Sequence, residues 1–140
     1  LTMSLKSSLE YKYRPTVKYE VELYENGDGS IGELSVIFRT QSAALISDMT
    51  DFFRLWHNIE QKYLPHYGIS GVEYALYYNK FCRSISVPRC DFSAQELANA
   101  LSGYIELFDK LMKGFLSGKY SAQDIERLYA EYIARQNIII

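Results

Sequence analysis

The spacing of apolar residues changes near residue 40, and that change restricts the fold more than any other feature of the chain. Before it, Val17, Tyr19, Val21 and Leu23 alternate with Lys18, Glu20, Glu22 and Tyr24. Leu34, Val36 and Phe38 likewise alternate with Glu33, Ser35, Ile37 and Arg39. Successive strand side chains point to opposite faces, so both runs predict strands with one apolar face. Asn26-Gly27-Asp28-Gly29 lies between them, and Asn-Gly and Asp-Gly tolerate the positive φ of a hairpin turn. After the change, from 42 to 64, Leu45, Met49, Phe52, Trp56, Ile59 and Tyr63 recur at threes and fours, with Ile46 and Phe53 widening the stripe. That spacing predicts an amphipathic helix, which Pro65 and Gly68 end.

The same two periods recur on either side. Upstream, Leu9, Tyr11 and Tyr13 alternate with Glu10, Lys12 and Arg14, either as a further strand or as the start of the first. Pro15 has no N–H for a ladder and marks an edge or a break. Residues 72–79 and 81–88 predict a second strand pair, with Tyr74 and Tyr78 on one face and Tyr77 on the other. Ser93-Ala94-Gln95-Glu96 and Ser121-Ala122-Gln123-Asp124 are capping-box patterns, in which the Ser hydroxyl and the acid satisfy free N–H groups of the first turn. Leu97, Leu101, Tyr104, Phe108, Leu111 and Phe115 follow the first cap, and Ile125, Leu128, Tyr129, Tyr132 and Ile133 the second. The short Ser117-Gly118-Lys119 joint predicts an antiparallel helix pair. The order is β-β-α-β-β-α-α: an α+β fold, with a mostly antiparallel sheet of four or five strands packed on one face by three helices. Its length of 140 residues suits a single domain over 1–140. Residues 1–8 and the apolar Ile138-Ile139-Ile140 are expected to be flexible or docked, the tail on its own domain or on a partner.

Composition removes several function classes. Fifteen Lys and Arg stand against 17 Asp and Glu, a net charge of −2. The densest basic group, Lys6, Lys12, Arg14 and Lys18, is interleaved with Glu10, Glu20 and Glu22. A nucleic-acid partner would require a basic stripe, so none is expected. No run approaches the roughly 18 apolar residues of a membrane span, and Lys6, Glu10 and Lys12 interrupt any signal-peptide core. Two cysteines make no disulfide framework, which predicts a reducing, cytoplasmic setting.

No catalytic or metal constellation emerges. His57, His66, Cys82 and Cys90 are nine, sixteen and eight residues apart, unlike the close pairs of structural zinc sites. Cys90 precedes the capped helix, whose N-terminus favours a thiolate, but Asp91 opposes this and neither histidine is tied to it. Asp48, Asp51, Glu73 and Glu60, one turn after His57, are each expected to be solvated charges. The Gly27–Gly29 segment precedes a strand rather than opening a helix, which disfavours phosphate. Neither catalytic residues nor a cofactor are therefore expected.

Tyrosine is the unusual feature, at 13 of 140 residues. Its apolar ring and polar tip suit interfaces and half-wet pockets. The candidate ligand or interface residues are Trp56, His57, Tyr74, Tyr77, Tyr78 and Arg83. The leading expectation is a non-enzymatic protein-interaction module acting as a homodimer, with another protein as the other partner. Contact would run through the 72–79 strand or the last two helices. The alternative is a small-ligand-binding domain or modest enzyme, with an aromatic pocket between the sheet and the first helix. From 17 to 116 the element order is similar to that of type III secretion chaperones, which bind proteins as dimers. The small size and aromatic surface are similar to immunity proteins that block toxins. No motif carries either likeness, and the opening helix of those chaperones has no counterpart here.

Overall fold

A computed structural model describes residues 4–14, 17–28, 31–40, 44–86 and 93–140, with the backbone alone at 4–14, 17 and 94. The chain runs β1 (Ser4–Arg14), β2 (Val17–Glu25), β3 (Ile31–Thr40), α1 (Ser47–Tyr63), a 3₁₀ turn (Leu64–Tyr67), β4 (Glu73–Leu76), β5 (Lys80–Ser86), α2 (Ala94–Leu116) and α3 (Ala122–Ala134). The expected α+β order holds, and the upstream alternation forms a strand of its own. Two compact units result. Residues 1–45 and 70–91 hold the sheet, and residues 46–69 and 92–140 hold the helices.

Among the described residues the sheet has five strands in the order β1-β2-β3-β5-β4, and every neighbouring pair is antiparallel. Its edges are β1 and β4. Register carries the alternation of the sequence across the sheet. Tyr19, Val21 and Leu23 lie opposite Phe38, Val36 and Leu34, which lie opposite Phe81, Arg83 and Ile85. All nine are buried, including Arg83. The Tyr19 and Phe38 rings meet edge-on, centroids 5.5 Å apart. Between β2 and β3 the register shifts after Tyr24, which accommodates a longer connection than a two-residue hairpin turn.

Two strand boundaries differ from expectation. The 72–79 strand stops at Leu76, because the Tyr77 N–H donates to the Lys80 carbonyl at 2.8 Å and closes a turn with Tyr78 and Asn79 at its tip. Thr40 pins that tip through its N–H and hydroxyl, both donating to the Asn79 carbonyl at 2.9 and 3.2 Å. Tyr78 therefore occupies the turn instead of sharing a face with Tyr74. The following strand is described from Lys80 to Ser86; residues 87–88 of the expected 81–88 lie outside the described residues.

In the helical unit, α1 starts at Ser47 rather than near 42, because Ile46 has extended backbone angles. Pro65 opens the 3₁₀ turn, and Gly68 ends it at a φ of 75°, where a side chain would be strained. Both capping boxes form. The Ser93 and Ser121 hydroxyls accept from the N–H groups of Glu96 and Asp124 at 3.1 Å, and those acids accept from the Ser N–H groups at 2.9 Å. The Ser121 N–H holds Asp124 below the ordinary carboxylate range. An aromatic cluster runs through the unit's mostly aliphatic core. Trp56 meets Phe108, Tyr129 and Tyr104 edge-on at 5.0, 5.1 and 5.9 Å, and Phe52 meets Phe108 at 5.4 Å. Tyr120 lies against Gly114, and Tyr132 lies against Gly103, so α2 and α3 run antiparallel. Outside the core, the Lys62 ammonium and the Tyr63 hydroxyl both bond Glu126 of α3, at 2.7 and 2.8 Å. No helix among the described residues is long and apolar enough to cross a membrane.

Two stability predictions follow from the helical unit. A helix-interior glycine ordinarily costs about 0.5–1 kcal/mol relative to alanine, yet a Cβ at 114 would overlap the Tyr120 ring. Gly114→Ala is expected to lower the urea midpoint rather than raise it. Hydrogen bonds from Lys62 and Tyr63 hold Glu126 below its ordinary value. Its contribution is therefore complete above the unfolded value of about 4.3 and is lost as pH falls through the lower folded value. Thermal unfolding of Glu126→Gln should differ from wild type at neutral pH, and the difference should shrink on acidification.

Candidate functional site

The face of the sheet opposite the buried one holds a trough. Its geometry follows from side-chain size taken row by row across the strands. One row runs Glu22, Ser35, Ser84, Glu73 from β2 to β4, and the next runs Glu20, Ile37, Cys82, Ala75. In the first row the two middle side chains are short serines and the two flanking ones are longer glutamates, and the second row falls to Cys82 and Ala75 on the β5 and β4 side. Ser35 and Ile37 are buried as a floor, and the Ser35 and Ser84 hydroxyls bond each other at 2.8 Å. The resulting open trough has a volume of about 380 Å³, with Tyr24 and Glu33 at one end and Tyr77 and Lys80 at the other.

Charge on this face is segregated. Glu22, Glu33 and Glu73 line the trough, and among the described residues Lys80 is the cation lining it. The Lys80 ammonium sits over the Tyr77 ring, 4.8 Å from its centre. Arg39 and Lys18, in the row with Lys80, share the single Glu20 carboxylate at 3.2 and 3.8 Å. The Tyr24 hydroxyl donates to the Glu22 carboxylate, and the Tyr24 pKa is pushed up to about 12, because that bond is lost when the phenol ionises. Burial pushes the Cys82 thiol up, so this sulfur is held as a thiol and is a poor nucleophile.

The helical unit carries a second polar cluster, fully enclosed. Glu60 of α1 has no solvent exposure. Tyr129 of α3 donates to its Oε2 at 2.9 Å, and Tyr104 of α2 donates to its two oxygens at 3.2 and 3.1 Å. The Trp56 indole N–H donates to the Tyr104 hydroxyl at 2.9 Å. Glu60 is thus no solvated charge. It falls four residues after Trp56 and eight after Phe52, on the apolar stripe itself, and that spacing was the signal for its burial. Asp109 is buried as well, beside the Lys113 ammonium at 2.9 Å. Beside Tyr104 and Tyr129, Ile138–Ile140 help enclose a small void with Tyr132 and Gln136. Ile140 is itself buried.

The six candidate residues separate by unit and by exposure. Trp56 is buried, with its N–H committed to Tyr104, whereas the adjacent His57 is exposed. In the sheet unit, Tyr74 lies opposite Arg83 and stacks on Phe81 at 6.0 Å. Tyr77 and Tyr78 are exposed, at 54% and 80%. Of the six, Tyr74 and Tyr77 line the trough. The remainder of its lining comes from residues whose nearness depends on strand register. Cys90 lies outside the described residues, and no group of three or more His, Cys, Asp or Glu among the described residues is placed to hold a metal ion.

Removing the Tyr129 hydroxyl with Tyr129→Phe should cost about 1.5–3 kcal/mol, the usual range for a hydrogen bond to a charged group. Tyr104→Phe should cost more in the same urea titration, because it also strands the Trp56 N–H. In the sheet unit, Glu22→Gln should bring Tyr24 down toward 10, read from ring carbon-13 shifts across alkaline pH. The chain matches no known family model, and none of the curated proteins matches it in sequence.

Proposed function

We propose that this chain is a non-catalytic protein-interaction module that acts as a homodimer. One observation carries the reading: Leu76, Tyr77 and Tyr78 are consecutive and all exposed, at 42%, 54% and 80%, where an edge strand enters its turn. Single exposed apolar residues are ordinary on a protein surface. Three in succession at a sheet edge form a patch, and tyrosine is enriched where proteins meet. Lys80 over the Tyr77 ring restrains that side chain, which lowers the entropy lost on contact.

Among the described residues, the outer backbone groups of β4 face no neighbouring strand in the sheet order. Such edges invite pairing unless covered. Two copies related by a two-fold axis bring like residues together and close the assembly, covering both edges and both tyrosine patches at once.

Sedimentation equilibrium at micromolar concentration should give a dimer for the wild type. The Leu76→Glu/Tyr78→Glu variant should give a monomer with unchanged far-ultraviolet circular dichroism. A wild type that stays monomeric at tens of micromolar overturns the homodimer.

A further inference from the structure

We propose that the trough on the open face of the sheet docks a basic, extended segment of a partner protein, with its Lys or Arg side chains set against Glu22, Glu33 and Glu73. The proposal rests on the reading of the chain as an interaction module and names what that module takes.

Charge complementarity identifies the occupant. Among the described residues, three carboxylates and one ammonium line the trough. That ammonium is engaged with the Tyr77 ring, and the neighbouring Arg39 is held by Glu20 at 3.2 and 3.5 Å. The surface therefore carries an excess of negative charge on the side of Glu22, Glu33 and Glu73. A positive ligand gains there, and an anionic one, including a nucleic acid, is repelled.

Shape gives the form of the occupant. Glu22 and Glu73 stand at opposite ends of one row across four strands. Three strand spacings separate them by about 14 Å. An extended chain rises about 3.3 Å per residue, so two basic residues four apart on one segment span that distance. Between the carboxylates lie Ser35 and Ser84, whose hydroxyls can meet peptide amides. A bare polyamine has N–H donors for them but no carbonyl to accept from their O–H groups. Tyr24 and Tyr77 at the two ends offer ring surface to the aliphatic stem of Lys or the plane of Arg. The trough is open along the face, as an extended segment requires, whereas small-molecule sites bury most of their ligand.

The test is a fluorescence-anisotropy titration of the full chain with a labelled peptide of alternating Lys and Ser. The controls are the same peptide with Glu for Lys, and spermine. The Lys peptide should bind, and binding should weaken with salt. Glu22→Gln/Glu33→Gln/Glu73→Gln should weaken it by about tenfold or more. Ser84→Arg, which fills the floor with a tethered cation, should weaken it as well. The monomeric Leu76→Glu/Tyr78→Glu variant should bind at least as tightly, because it adds negative charge beside the trough, and this separates the proposal from the homodimer. Equal binding of the Lys and Glu peptides overturns the proposal. So does a triple variant that folds by circular dichroism and binds like wild type, or spermine binding as tightly as the peptide.

Discussion

The helical unit is organised around a carboxylate that cannot reach water. Taking an isolated carboxylate out of solvent costs several kcal/mol or more unless hydrogen bonds replace its hydration. Glu60 receives that replacement from Tyr104 of α2 and Tyr129 of α3, so helices distant in sequence must come to fixed positions around α1. Apolar packing alone tolerates sliding between helices of similar stripe. A buried acceptor with two directional donors does not, because displacement of either helix strands the charge. Trp56 extends the constraint by bonding the Tyr104 hydroxyl while its ring packs edge-on against Tyr129 and Phe108.

The sheet is organised differently, by contrast between its faces. One is closed by rings and branched side chains around a buried Arg83. On the other, the Glu22-Ser35-Ser84-Glu73 row has short polar side chains in the middle and longer acids at the sides, and that difference in length shapes a concavity that the Tyr77 turn bounds at one end. Function, on the reading proposed here, lies on this second face and on the β4 edge beside it. The first face contributes stability, and the second is left free to recognise something.

Much of the secondary structure was legible. Alternation at Tyr19, Val21 and Leu23 places them on the buried face, and the Ser93 and Ser121 capping patterns mark their helix starts directly. These signals are local, arising from the pleat of a strand or the free N–H groups of a helix end. Where non-local bonds intervene, local pattern misleads. Tyr78 continues the alternation of β4 in sequence, but the Tyr77–Lys80 bond and the grip of Thr40 on Asn79 turn the chain before it. Glu60 looks like a partner for His57 one turn away, yet the stripe through Phe52 and Trp56 carries it inward while His57 faces solvent.

By itself, then, the sequence determined which segments are strands and helices, which face of each is apolar, and that tyrosine is in excess. Those properties depend on neighbours two, three or four residues away. Only the tertiary structure decided that Ser35, Ser84, Glu22 and Glu73 form one row, that Tyr104 and Tyr129 converge on Glu60, and that Leu76, Tyr77 and Tyr78 lie at an exposed edge. Each of these depends on strand register or on helix docking. A one-residue slip of register would exchange the two faces of a strand, and no pattern within a single segment records that choice.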